Sequence, residues 1–304
     1  MSNYRYNSLN EFLKLKFGAK VYKVSLNGAF TCPNRDGSKG LGGCIYCNPE
    51  SNLPLSLCNE PIREQLFRDI DYIKKRHRGT TKFISYFQHY SNTYSKTQSL
   101  EKLYLDAISH PDIVGLAIST RPDCLTDETL KLLECLNQET FLWLELGLQS
   151  AKDRTLKLLN RCHTAQDFLT AAEKAHKLHI MTCAHIILGL PGETKSDMLD
   201  TIKLLSDEKI GGVKIHNLHI LKDTKLEELY NAGEVKMLSL HEYASLVADC
   251  LERLPKEVII HRFNSHAPRD LTIAPEWSVN KLATLNAVHD ELIKRDSWQG
   301  RLND

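Results

Sequence analysis

The strongest constraint on this chain's fold is an alternation of two textures. Short runs rich in β-branched and aromatic residues recur at 20–26, 82–87, 112–120, 141–150, 182–190 and 213–221. Stretches of helical periodicity separate them, such as 60–76, 99–109, 125–136 and 194–208. In one of these, Thr126 precedes Asp127, Glu128 and Thr129, which predicts a side-chain cap and an acidic first turn. Strands that alternate with helices predict a parallel sheet with right-handed crossovers. The near-continuous apolar character of the strands predicts burial on both faces. Such a series curls into a complete or partial barrel, or stays open and doubly wound. In each case the loops that leave the strands carry the chemistry. From residue 235 the pattern changes to a helix at 241–254, a strand at 257–263 and a last helix from about 278. We read residues 1–234 as the core and 235–304 as a C-terminal extension packed on it.

Composition narrows the setting. The formal charge is +1, so bulk electrostatics select no partner. The first twenty residues lack the apolar core and cleavage site of a signal peptide, and no stretch approaches a membrane span. Nine cysteines, an odd number without an export signal, fit reduced thiols and a cytoplasmic protein.

Three of those thiols are crowded into residues 32–48, CPNRDGSKGLGGCIYCN, directly after the first predicted strand. An ordinary loop with incidental cysteines is one reading. A zinc site would want a fourth ligand, and Cys58 and His77 lack the paired spacing of zinc ligands. A redox dithiol would use Cys44 and Cys47 and leave Cys32 idle. A 4Fe–4S cluster fits the count best: Cys32, Cys44 and Cys47 hold three irons and leave the fourth open. Gly37, Gly40, Gly42 and Gly43 allow the tight backbone path such a loop requires.

With C-x11-C-x2-C in this position, the sequence resembles the radical S-adenosylmethionine (SAM) superfamily, in the branch of the elongator catalytic subunit. The resemblance implies a partial (β/α)6 TIM-like barrel with a small C-terminal α/β extension. It also implies a cluster whose open iron binds SAM, and a 5′-deoxyadenosyl radical that abstracts a substrate hydrogen. Tyr46, between the paired cysteines, is then placed near the adenine. FQHYSNTYS (87–95) stands where the family carries a GGE-like element, which this chain lacks; Gln88 and Asn92 are assigned to the SAM site by position. ELGLQS (145–150) is similar to the segment that meets the SAM ribose and carboxylate, with Glu145 and Gln149. LNRCHT (159–164) matches an NR-x-H element and adds Arg161. HIILGLPGE (185–193), with Leu190, resembles the strand beside the adenine. Each match alone also reads as an ordinary strand or turn; their order behind the three-cysteine loop carries the assignment.

Across residues 5–300 the pattern is similar to the bacterial YtqA/MnmL family, through CPNRDG, NTY, STRPDCL, ELGLQS and HRF…APRDL. That similarity implies modification of the tRNA wobble uridine: 5-carboxymethylaminomethyl(-2-thio)uridine becomes 5-aminomethyl(-2-thio)uridine. The implied partners are the anticodon region of tRNA, an electron donor such as flavodoxin or ferredoxin, and a separate methyltransferase acting on the product. The substrate carboxylate would need an arginine. Arg262 is the first choice, with Arg121 and Arg269 as the others; structural pairs with Asp123 and Asp270 are the bland alternative. Two basic segments, the N-terminal lysines and KKRHR (74–78), are candidate phosphate contacts, or simply complements to helix ends. Tyr4, Tyr6, Tyr90 and Tyr94 are candidate stacking residues. The other six cysteines read as mostly buried apolar residues, which disfavours sulfur insertion. Two alternatives stay open: a radical SAM enzyme acting on a peptide or small metabolite, and a non-catalytic iron–sulfur protein that binds RNA.

Overall fold

The structure is a computed structural model that describes residues 5–51, 60–265 and 267–303; Tyr4 and Cys58 lie outside them. In chain order the described residues form α1 (Leu9–Phe17), β1 (Val21–Leu26), α2 (Ile62–Arg76), β2 (Lys82–Phe87), α3 (Thr97–Ala107) and β3 (Ile113–Thr120). There follow α4 (Asp127–Glu139), β4 (Phe141–Gln149), α5 (Asp153–Leu158), α6 (Ala165–Lys177), β5 (Met181–Leu188) and α7 (Lys195–Asp207). The last third holds β6 (Gly212–Asn217), β7 (Ile220–Leu221), α8 (Lys225–Asn231), α9 (Leu240–Arg253), β8 (Ile259–Arg262), β9 (Thr272–Ala274) and α10 (Lys281–Lys294). The stretch 213–221, expected as one strand, divides at Leu218, whose N–H bonds to Leu188 O while β7 turns away to pair with β9. Thr126 caps α4, its side chain accepting from Thr129 N.

Seven strands form one parallel sheet in the order β1-β2-β3-β4-β5-β6-β8. Alternation along each strand divides its two faces. Val24, Phe83, Phe87, Leu116, Leu144, Ala184 and Val213 pack outward against the helices. Ile84, Tyr86, Ala117, Trp143 and Ile259 point the other way, where Leu9 and Leu13 of α1 meet them. The sheet is curled, as contacts across its concave side demand. Lys214 Nζ of β6 lies 2.6 Å from Tyr86 OH of β2, whereas strands four places apart in a flat sheet stand about 19 Å apart. The result is a half-barrel, the partial TIM-like barrel expected from the resemblance. Helix α1 fills the gap between the two sheet edges: Ser8, its cap, bridges Ile260 in parallel fashion, and Leu13 is 3 % exposed.

Two features of this frame position the site. The cysteine loop leaves β1 at the carboxyl end of the barrel. Lys16 and the 74–78 run lie at the other end, whereas Lys23 reaches into the barrel toward Glu145. Lys16 sits over the ring of Phe141, the first residue of β4. Lys74 pairs with Asp112 just ahead of β3, and His77 stacks on Tyr22 near the start of β1. About 25 Å of strand separates the two ends.

Candidate active site at the carboxyl ends of the strands

The cysteine loop is pinned by the segment after α5. Asn160, in left-handed conformation, donates from Nδ2 to Leu41 O (3.1 Å) and Gly43 O (2.8 Å), and its own carbonyl accepts from Asn34 Nδ2. Ile45 N donates to Leu159 O. Gly40 is required by close approach, since a Cβ there would stand 2.2 Å from Asn34 Oδ1. So held, Cys32, Cys44 and Cys47 line one cavity of about 240 Å³, together with Tyr46, Gln88, Gln149, Arg121, Arg161, His185 and His216 among others. Three thiols on the wall of one cavity are a donor set for a thiolate-bound group.

Arg161 organises this wall. Its Nη1 donates to Cys44 Sγ (3.3 Å) and Tyr46 OH (3.3 Å), Nη2 to Gly147 O (3.0 Å) and Nε to His163 Nε2 (3.1 Å). Burial and the neighbouring guanidinium lower His163 to about 3, so its ring is neutral and accepts. Burial pushes the Cys44 thiol up, but Arg161 more than offsets this and leaves it below its ordinary value. Cys47, where burial dominates and Cys44 adds to it, is raised. Gly147 belongs here for want of space: a Cβ would meet Gln149 Nε2 at 2.9 Å and Arg161 Nη2 at 3.0 Å.

Glu145 occupies a deeper level than the resemblance implies. It is 0 % exposed and is not part of the cavity lining. On the inward face of β4 it stands two residues below Gly147, inside the barrel. There its Oε2 accepts from Tyr86 OH (2.7 Å), Ser119 Oγ (2.7 Å) and Lys214 Nζ and lies 3.0 Å from His185 Nε2, while Oε1 accepts from Trp143 Nε1 (3.0 Å). Burial alone would raise this carboxyl. Lys214, the His185 hydrogen bond and Lys23 outweigh it and hold the group well below the usual carboxylate range. Burial brings Lys214 down to about 7 against the attraction of Glu145, and His185 to about 4.

Arg262 lines a second cavity, of about 150 Å³, that shares Tyr46, Cys47, Gln88, Ile187 and His216 with the first. A bulge aims it there: Val213 pairs with Ile260 but Lys214 pairs with Arg262, so His261 is the extra residue. Nε and Nη2 of Arg262 reach His216 Nε2 at 3.2 and 3.0 Å. A guanidinium only donates, so that nitrogen is the acceptor; burial and Arg262 hold His216 far below its ordinary pKa. No carboxylate pairs with Arg262 among the described residues.

The remaining expected residues divide as follows. Gln88 reaches both cavities. Asn92 is buried behind the wall, donating to Ser119 O (2.6 Å) and Phe87 O (3.3 Å), where it braces the loop after β2. Leu190 lies in an apolar cluster with Leu159 and Ile187, against which Tyr46 packs. Arg121 lines the first cavity but is engaged by Asp123 (2.9 and 3.0 Å) and by Arg161 O (2.6 Å), so the structural pair anticipated for it is present. Arg269 is exposed and outside the linings of both cavities. Of the other cysteines, expected to be mostly buried, Cys124, Cys183 and Cys250 are buried, whereas Cys135 and Cys162 are exposed. Asn34, Asn160, Lys214 and His216 carry the site without having been singled out. The signal for the last two was available: on β6 a lysine and a histidine stand two apart, on one face of the strand, with Val213 and Ile215 on the other.

Comparison with known proteins gives the same picture. The family model described as "Radical SAM superfamily" matches residues 32–205, and "Radical_SAM C-terminal domain" matches 210–294. The chain is 40% identical over 297 residues to "Uncharacterized protein YtqA" of Bacillus subtilis, covering 98% of this chain and 92% of that protein. It is 26% identical over 163 residues to "tRNA uridine(34) acetyltransferase" of Methanocaldococcus infernus, covering 53% of this chain and 30% of that one. The solved structure of Methanocaldococcus infernus Elp3 lacking residues 1–46 superposes with a TM-score of 0.71 at 19% identity, over 92% of this chain and 64% of that one, a likeness of fold.

Proposed function

The chain belongs to the radical SAM superfamily, in its elongator-like branch, with a 4Fe–4S cluster and SAM as cofactors; from that premise we propose that it demodifies the tRNA wobble uridine. The substrate is 5-carboxymethylaminomethyl(-2-thio)uridine and the product 5-aminomethyl(-2-thio)uridine. Overall, the carboxymethylamino group and water give the free amine, glyoxylate and two hydrogen equivalents. When bound, the cluster and SAM would supply the two-electron oxidant, with methionine and 5′-deoxyadenosine as its reduced products. Cys32, Cys44 and Cys47 would hold the cluster, and Tyr46, Gln88, Gln149 and Arg161 would border SAM. The donor set fits: three thiols line one cavity, with Arg161 beside Cys44 favouring the thiolate.

The observation that carries the substrate reading is Arg262. It is a half-buried cation that bonds a neutral imidazole, has no carboxylate partner among the described residues, and lines a cavity continuous with the cysteines. A substrate carboxylate would complete it with a charge-assisted, two-pronged pair. The methylene next to that carboxylate is the weakest C–H site of the group, since nitrogen and carboxylate both stabilise a carbon radical. The relative that acts on tRNA uridine 34 supports the choice of nucleoside. The test is anaerobic incubation of reconstituted protein with tRNA carrying the carboxymethylaminomethyl group, followed by nucleoside mass spectrometry. Wild type should convert it and Arg262→Ala should retain its iron yet leave it unchanged. Cys32→Ala, Cys44→Ala and Cys47→Ala should each lose iron and conversion, and Cys250→Ala neither. Wild-type conversion by Arg262→Ala would remove Arg262 as the carboxylate reader.

A further inference from the structure

A third cavity, of about 230 Å³, lies on the far side of Arg262, between the N-terminal segment, the outer edge of β8 and the start of α10. Its charge is one-sided. Arg262 and Lys281 line it, and among the described residues no aspartate or glutamate does. Lys281 is exposed and in no ion pair among the described residues. The Nδ2 group of Asn264, another lining residue, is buried without a hydrogen-bond partner among the described residues. An amide N–H2 withdrawn from water and left unpaired is unfavourable unless a ligand accepts from it. Two cations and an orphan donor around one small space describe a seat for an anion rich in acceptor oxygens.

We propose that this cavity holds a backbone phosphodiester of the RNA substrate, the one flanking the nucleotide whose base enters the main pocket. The inference rests on the tRNA reading above and adds to it how the strand is held. Arg262 lines both spaces, so they are separated by one side chain, the scale on which a base and its neighbouring phosphate are spaced. A phosphodiester carries one charge and two free oxygens, enough for Lys281 and Asn264 together. The seat also supplies what the basic segments do not: cationic contacts beside the carboxyl end of the barrel, where the cysteines are.

The experiment measures affinity of the reconstituted protein for an anticodon stem-loop across salt concentrations, for wild type, Lys281→Gln, Lys281→Glu and Lys281→Arg. Removing one phosphate contact should weaken binding several-fold, irrespective of sequence, and flatten the logarithmic salt dependence by about one. Lys281→Arg should restore both. The stem-loop is then made with a neutral methylphosphonate at single linkages on either side of the wobble position. At one linkage the wild type should lose affinity while Lys281→Gln loses no more. Binding whose salt slope is indifferent to Lys281, or the lack of any linkage at which the two losses overlap, overturns the phosphate seat and leaves the tRNA reading standing. No affinity for any RNA sinks both. Lys281 lies on an exposed helix start, and equal thermal unfolding of the variants excludes misfolding as the cause.

Discussion

Lys214 shows how far one side chain can be moved by its surroundings. It is 2 % exposed, touches Tyr86 and Glu145, and faces Lys23 of β1, Cys183 of β5 and Arg262 of β8. Burial outweighs the attraction of Glu145 and lowers it to about 7 from 10.5. Between those values the unfolded chain holds a proton that the native chain has released, so raising the pH through this window favours the folded state. Lys214 therefore adds roughly 1 kcal/mol of stability per pH unit from about pH 7 to 10. Lys23, also lowered, acts in the same sense. The buried thiols of Cys183 and Cys250, raised by burial, act in the opposite one. The difference between wild type and Lys214→Met isolates the lysine. In urea titrations at pH 7.5, 8.5 and 9.5 that difference should change by roughly 1 kcal/mol per unit; parallel pH profiles would show that Lys214 stays charged beside Glu145.

Among the elements, α1 has a role its composition conceals. Its lysines suggest a nucleic-acid arm, yet Leu9 and Leu13 pack against Ile84, Trp143 and Ile259 and close the open side of the half-barrel. Nine residues would not hold a helix alone in water. Ser8 caps its first turn, Gly18 ends it at φ 70°, and packing supplies the rest. Leu13→Ala should thus cost about 2–5 kcal/mol, the range for a truncated core leucine. Denaturant unfolding checks this, and a loss below 0.5 kcal/mol would mean that α1 rests loosely on the barrel.

For the whole molecule, the two ends of the barrel have different duties. The cavities and cysteines gather at the carboxyl ends of the strands, whereas Lys14, Lys16 and the 74–78 run belong to the other end. Lys74 is engaged by Asp112 and Lys16 by Phe141. Charge reversal at Lys14 and Lys16, or at Lys75 and Arg76, should leave tRNA affinity within about twofold of wild type, since a phosphate lost from contact would also change the salt slope. A steep loss of affinity in those variants would mean that the RNA wraps around the barrel to its far end.

Much of this protein was legible as one-dimensional pattern. Strand and helix periods depend on neighbours a few residues apart, so the strand at 82–87, the strand read at 141–150 and found at Phe141–Gln149, and the cap at Thr126 could be read directly. The three-cysteine loop and the LNRCHT segment were legible too, because their chemistry is local in sequence. What the tertiary structure alone decided depends on contacts between distant residues. Curvature brings Lys23, Tyr86, Glu145 and Lys214 to one point inside the barrel, from four strands spread over nearly two hundred residues. One extra residue in β8 sets Arg262 opposite Lys214. Glu145 reads like a rim residue in sequence, but the pleat puts it one inward position below Gly147. Charge shows the same divide: a sequence counts lysines, while only the fold determines which of them pack over a ring, pair with an aspartate, or stand unpaired beside a cavity, because those outcomes follow from burial and distance.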